Sequence, residues 1–270
     1  MAREIIDGKK TTIEIPSRNP SVEFDRLQMY FAKPYVIDLD GVKGKVTIYQ
    51  PTIGDIMNIG EKKFYSTLNV FVTNTTSYRV MLWDSGLDWN VVSDFELFMI
   101  LIRQTDPDVI KLIFHDLDFR KFVPTLSGDN KKILYDAEDE IEITEMVYFH
   151  ISQYLRAVFQ IYPKEQICKN ETMKQWYINS DKRVVHSIES LGKKDSSDTS
   201  MLAVISACVN HPGFKYNLKE LTDVGVCQFY DSVKRLQIYE SSTALMKGMY
   251  SGFMDSSKVK SEEYNFMREI

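Results

Sequence analysis

Apolar side chains follow helical spacing along most of this chain and strand-like alternation in two regions. The most apolar stretch is residues 93–103, where every side chain from 95 to 102 except Glu96 is apolar. Ser93 and Glu96 stand three residues apart, the spacing of a capping box that satisfies free backbone amides at a helix start. A helix that is apolar on all sides has to be covered by other elements. The sequence therefore predicts a buried central helix at about residues 93–103.

A second helix, this one amphipathic, is predicted to begin after Thr144. Large side chains recur there at the i, i+4, i+7, i+8 and i+11 spacing of one helix face. Pro163 ends this helix, because proline has no amide hydrogen to donate. We expect the apolar faces of the two helices to form the core. The predicted core residues are Phe95, Phe98, Leu101, Ile102, Leu155 and Val158.

Two regions alternate between apolar and polar positions, as strands do. Residues 35–50 contain two such runs around Asp40-Gly41 and Gly44, which predicts a β-hairpin. Residues 119–143 alternate around a Ser-Gly-Asp-Asn turn, which predicts a small antiparallel β insert. The predicted fold is therefore α+β and mainly α-helical, a helical bundle around residues 93–103 with an N-terminal hairpin and the β insert.

The polar stretch from Gly192 to Ser200 is the one credible internal boundary. It divides the chain into an N-terminal arm at 1–34, a hairpin with helical core at 35–191, and a C-terminal helical region at 192–270. The sequence leaves open whether residues 192–270 belong to the same domain as the helical core.

Composition excludes several classes of function. The 270 residues are 44% hydrophobic and 26% charged, as in ordinary globular proteins. A net charge of −5 with scattered basic residues gives no general attraction for phosphates, so we expect no nucleic-acid partner. No apolar run reaches the roughly 18–20 residues of a membrane span, and the N-terminus lacks a signal-peptide core. We therefore expect no membrane partner either.

Motifs that carry catalytic or metal chemistry are absent from the sequence. The four histidines do not fall at zinc-ligand spacing, and phosphate-binding glycine loops and the Gly-X-Ser-X-Gly elbow are missing. We expect no cofactor, metal or catalytic residue. Three distant cysteines argue against a disulfide framework and fit a reducing cytosol. An enzyme with Cys168 or Cys208 as nucleophile is the alternative from another class.

The two chain ends are the segments least able to bury themselves, and we predict that both bind partners. Residues 11–31 carry alternating apolar side chains interrupted by prolines, and such an extended segment adds readily to the sheet edge of a neighbour. Aromatic and Met side chains near the C-terminus are favoured interface anchors. The alternative is that both ends fold back over the protein's own core. The predicted partner-binding residues are Ile13, Ile15, Phe24, Leu27, Tyr30, Phe31, Tyr264, Phe266 and Met267.

A hairpin leading into residues 46–56, followed by the helix at 93–103, resembles the tail assembly chaperone and baseplate hub assembly proteins of long-tailed phages. Versions from phages of Gram-positive hosts are the most similar, and they carry segments like residues 210–214, 229–238 and 248–253. The resemblance implies a non-enzymatic morphogenesis protein in the cytoplasm of the infected bacterium. Its partners would be other phage tail or baseplate proteins, or further copies of itself.

The N-terminal arm and the β insert at 119–143 depart from the shorter assembly chaperones of this group. Extra ordered elements are also what a permanent part of a particle would carry. A structural component of the virion baseplate is therefore the alternative within phage biology.

Overall fold

The computed structural model describes residues 4–6, 9–11, 22–190, 200–252, 257 and 259–268. The described residues form an α+β fold that is mainly helical, as predicted. The helices are α1 Arg26–Tyr30, α2 Ile53–Ile59, α3 Glu61–Val72, α4 Arg79–Asp84, α5 Asp94–Leu101, a 3-10 turn Ile102–Gln104, α6 Pro107–Phe114, α7 Glu145–Phe159, α8 Glu171–Ser190, α9 Met201–Val209, α10 Leu218–Leu221 and α11 Val226–Tyr250. The strands are β1 Glu4–Ile6, β2 Lys9–Thr11, β3 Tyr35–Ile37, β4 Val46–Ile48, β5 Val123–Leu126, β6 Lys132–Asp136 and β7 Ile141–Ile143.

The strands form small antiparallel sheets, which confirms the predicted hairpin and β insert. Strands β3 and β4 pair with Tyr35 opposite Ile48, and β5, β6 and β7 form a three-stranded sheet in that order. The hairpin turn touches this sheet, because the Glu142 amide donates to the Lys43 carbonyl over 2.9 Å. Gly44 has a positive φ of 77°, and a Cβ there would lie 2.9 Å from Ile141 Cγ1. Glycine therefore allows the close approach of the hairpin to the sheet.

The central helix α5 begins with the predicted capping box. The Glu96 amide donates to Ser93 Oγ over 3.1 Å, and the Ser93 amide donates to Glu96 Oε2 over 3.0 Å. The prediction that this helix is buried on all sides is wrong at Ile100, which is 45% exposed. Ile100 faces a groove of about 460 Å³ beside Pro124 and Leu126 of β5. The β insert approaches this flank of α5 without covering it.

Aromatic rings fill the core between α3, α5 and α7. The ring of Phe98 lies 5.4 Å from Phe71 on α3 and 4.7 Å from Tyr148 on α7, measured between centroids. This packing confirms that the predicted helices share their apolar faces. All the predicted core residues are buried, namely Phe95, Phe98, Leu101, Ile102, Leu155 and Val158.

Arg156 is a buried charged side chain that joins α7 to the end of α3. Its Nε donates to the Val72 carbonyl over 2.8 Å, and its Nη2 donates to the Thr73 carbonyl over 2.6 Å. The last carbonyls of a helix have no partner within the helix, so a cation there satisfies them and also meets the negative end of the helix dipole.

Helix α11 packs against α7 and contributes to the same hydrophobic cluster. Val226 and Phe229 are fully buried in it, and the Val226 amide donates to the Pro51 carbonyl over 3.1 Å. The hydroxyls of Tyr65 on α3 and Tyr230 on α11 are 2.7 Å apart. These contacts fix the orientation of α11, which positions the candidate surface.

Candidate partner-binding surface

The structure places seven of the nine predicted partner-binding residues on two segments that both lie against α11. Ile13 and Ile15 lie outside the described residues. Phe24, Leu27, Tyr30 and Phe31 lie on or beside α1. Tyr264, Phe266 and Met267 lie on a series of turns between residues 259 and 268, which we name the C-terminal tail.

Helix α1 is attached to the body of the protein through Phe24 and Met29. The ring of Phe24 packs edge-on against Tyr35 at 5.3 Å and Tyr154 at 5.5 Å. Gln50 Nε2 donates to the Met29 carbonyl over 2.9 Å. Phe24 therefore packs partly against the protein's own core, and less of its side chain is available to a partner than the sequence predicted.

The outer side of α1 presents large apolar side chains. Leu27 is 67% exposed and Phe31 is 59% exposed. Tyr30 is half-buried and packs edge-on against Phe31, with ring centroids 5.8 Å apart. Burial raises the pKa of Tyr30, and the Asp231 carboxylate on α11 raises it further. The α1 segment thus turns its apolar residues outward beside α11.

Guanidinium groups hold the backbone of the C-terminal tail. Arg235 on α11 donates through Nη1 to the carbonyls of Phe266 at 3.0 Å and Arg268 at 2.7 Å. Arg268 Nη1 in turn donates to the carbonyls of Glu262 and Glu263, each at 3.0 Å. Hydrogen bonds from charged donors are stronger than neutral ones, so the tail backbone has a defined course along α11.

The side chains of the tail point outward although its backbone is held. Phe266 is 43% exposed and Met267 is 73% exposed. Phe266 rests edge-on against the exposed Tyr239 of α11, with ring centroids 6.0 Å apart. Sequence reasoning missed Tyr239 and Arg235, because nothing in a long amphipathic helix indicates which residues meet a distant tail.

A cavity of about 740 Å³ lies between the α1 segment and α11. Tyr30 of α1 and Arg235, which binds the tail, both line this cavity. Its charged rim mixes Glu23 and Asp231 with Lys234. Helix α11 therefore brings the predicted residues of both chain ends onto one side of the molecule.

All three cysteines are buried, and none has the environment of an activated thiolate. Burial raises the pKa of the Cys168 and Cys208 thiols. Burial and the nearby Asp231 raise the pKa of Cys227 to about 11. A reactive cysteine needs its pKa lowered, so these shifts have the opposite direction to that of a nucleophile.

His150 on α7 is a half-buried histidine. Its Nδ1 lies 2.9 Å from the Tyr35 hydroxyl, and burial lowers its pKa. Within the described ranges, no group of three or more His, Cys, Asp and Glu side chains is arranged to hold a metal ion. None of the helices in these ranges is both long and apolar enough to cross a membrane.

Comparison with known families adds one finding. Residues 192–270 match the model of the YomV second-domain family. This family is associated with phages, so the match indicates a phage-related protein. The matched residues, which we name the YomV-like segment, include α9, α10, α11 and the C-terminal tail. No curated protein and no solved structure matches the chain.

Proposed function

We propose that this chain is a non-enzymatic protein of phage tail or baseplate morphogenesis that acts by binding other tail or baseplate proteins. The match of residues 192–270 to a phage-associated family carries the proposal. The surface formed by α1, α11 and the C-terminal tail lies largely within this match, and it is the surface through which we propose that the protein binds.

The presentation of the tail supports a binding role. Large apolar side chains at Phe266 and Met267 are exposed, while hydrogen bonds from Arg235 hold the backbone that carries them. A segment that is ordered before binding loses less conformational entropy when it meets a partner. Aromatic and Met side chains are also over-represented at protein interfaces. The tail thus has the physical properties of a preorganised recognition segment.

The chemistry of the cysteines supports a role without catalysis. A thiol with a raised pKa is protonated at neutral pH and is a poor nucleophile. Burial raises the pKa of Cys168, Cys208 and Cys227 alike. The enzymatic alternative would require one of these side chains to leave its buried position.

Purification of the tagged full-length chain from infected cells tests the proposal. We expect phage tail or baseplate proteins to co-purify, and the double variant Phe266→Ser with Met267→Ser to lose them. Leu202→Ser is the matched control, because Leu202 is 72% exposed within the same YomV-like segment but lies on α9. Recovery of the same proteins with the double variant would contradict the proposed surface. Recovery of no tail or baseplate protein with the unchanged chain would contradict the proposed function.

A permanent place in the baseplate is the second candidate function. The ordered three-stranded sheet formed by β5, β6 and β7 favours it, because extra ordered elements suit a lasting structural part. Mass spectrometry of purified particles separates the two roles. A transient assembly protein should be missing from finished particles, whereas a baseplate component should be present in a fixed ratio to other tail proteins.

A further inference from the structure

Helix α8 lies against α4 with little apolar burial. Among the side chains described for residues 171–187, only Ile178 is buried, and Tyr177 beside it is half-buried. Trp176 and Val184 on the same helix are exposed. Helices in proteins are ordinarily stabilised by packing of an apolar face. The contacts that hold α8 are therefore mainly those of its polar side chains.

Three ion pairs connect α8 to α4 and the segment after it. These pairs are Lys174–Asp88, Arg79–Asp181 and Lys182–Asp84. Arg79 binds both oxygens of Asp181, with Nε 2.5 Å from Oδ2 and Nη2 2.7 Å from Oδ1. The Arg79 guanidinium also lies over the Tyr177 ring, 4.8 Å from its centroid. Opposite charges thus join residues 174–182 of α8 to α4 and the segment after it.

We infer that α8 is a strap held in place by charge, which detaches from α4 as a unit while the core remains folded. The Lys182–Asp84 pair is exposed, and the carboxylates of Asp181 and Asp88 are 34% and 31% exposed although their cations are mostly covered. Salt therefore reaches one side of each pair and weakens it, most strongly at Lys182–Asp84, whereas apolar burial does not depend on screening. Elements with few buried apolar contacts open at lower free energy than the whole molecule. Helix α8 ends at Ser190 and the YomV-like segment begins at residue 192, so the strap is the last described element before that segment.

Cys168 provides a reporter for release of the strap. Its side chain is buried close to the start of α8, and the charges of Arg79 and Lys174 act on its thiol. Its backbone is held independently of α8, since Asn90 Nδ2 donates to the Cys168 carbonyl over 2.8 Å. Cys227 on α11 is a matched control, because both cysteines are 6% exposed. We expect release of α8 to expose Cys168 and to leave Cys227 covered, whereas global unfolding exposes both.

The test measures thiol labelling of the full-length protein with a maleimide, at low salt and at about 1 M salt, where the Debye length is about 3 Å. Labelling is quantified separately at each cysteine by peptide mass spectrometry. We expect the rate at Cys168 to rise about threefold to tenfold with salt, as weakening of one exposed and two partly buried ion pairs implies. The rate at Cys227 should not change. A salt-independent rate at Cys168, or equal increases at both cysteines, would overturn the inference.

Charge exchange distinguishes electrostatic docking from apolar packing. Asp84→Lys places two cations together and should raise the labelling rate at Cys168 at low salt. The double variant Asp84→Lys with Lys182→Glu restores opposite charges and should return the rate towards that of the unchanged protein. Lys63→Gln, which removes ion pairs to Asp106 and Asp108 between α3 and α6, should leave it unchanged. Failure of the double variant to restore protection would show that charge does not hold the strap.

Discussion

Helices α7 and α8 follow each other in the chain but are held by opposite means. Nine of the 15 residues of α7 are buried, and its side chains pack against α3, α5 and α11. The longer α8 buries only Ile178 among its described side chains and is joined to α4 by ion pairs. Apolar burial stabilises a helix in any ionic condition, whereas ion pairs respond to salt and to competing charges. One helix therefore belongs to the permanent core, and the other is suited to release.

Two arginines, Arg156 on α7 and Arg79 on α4, show the difference in detail. Arg156 of α7 is buried and donates to the carbonyls of Val72 and Thr73. Arg79 of α4 reaches α8 through Asp181, whose side chain is 34% exposed. Removing Arg156 leaves two buried carbonyl acceptors without a donor. Removing Arg79 leaves the Asp181 carboxylate, which water still reaches.

The largest expected effect is a loss of stability when the core packing between α5 and α7 is removed. Phe98→Ala should lower the free energy of unfolding by about 3–5 kcal/mol, because Phe98 is fully buried between Phe71 and Tyr148. Urea unfolding measures the change. Ile100→Ala on the same helix is the control and should cost less than about 1 kcal/mol, since Ile100 faces the open groove. Equal losses for the two variants would contradict the described burial of α5.

Substitution of the two arginines should have the next largest effect on stability. Arg156→Met should lower the free energy of unfolding by about 2–4 kcal/mol, because two carbonyls lose their donors in a buried place. Arg79→Met should cost less, about 1–2 kcal/mol, because the Arg79 side chain is only 12% exposed but its partner Asp181, at 34% exposed, still reaches water. Chemical denaturation of both variants checks the contrast. A loss at Arg79 as large as that at Arg156 would mean that α8 belongs to the core.

Truncation of the N-terminal arm should have an intermediate effect that depends on Phe24. Deleting residues 1–31 removes the contacts of Phe24 with Tyr35 and Tyr154 and should lower the free energy of unfolding by about 1–2 kcal/mol. Deleting residues 1–21 keeps these contacts, and we expect the melting temperature to stay within a degree or so. Calorimetry of the two truncated proteins checks this. A large drop after the shorter deletion would show that residues before Val22 belong to the fold.

The pH dependence of stability should show the smallest effect. Burial lowers the pKa of His150 in the folded state, so below the ordinary histidine pKa of about 6.5 the unfolded chain binds more protons. This contribution to stability is complete above that value and is lost as pH falls from it through the lower pKa of the folded state. His150→Gln should reduce the fall in the free energy of unfolding at acidic pH, as measured by denaturation at several pH values. His186→Gln, at an exposed histidine of α8, should leave this fall as it is.

Local patterns in the sequence determined the elements and most of the core. The capping box of Ser93 and Glu96, the glycine turn of the hairpin and the apolar spacing in α7 depend only on neighbouring residues. Their predictions were therefore confirmed. The sequence also identified apolar side chains at the chain ends, because composition alone marks them as unlike an ordinary polar surface.

Only the tertiary structure decided which of these residues are covered and what holds them. Ile100 has the same apolar character as Phe98, yet it is exposed because the β insert stops short of it. Arg235 meets the C-terminal tail, and Arg79 meets Asp181, across separations that no local spacing encodes. The sequence contains several side chains of suitable charge for each of these arginines. Which of them becomes the partner depends on how whole helices pack, because only the folded chain brings two particular groups within hydrogen-bond distance.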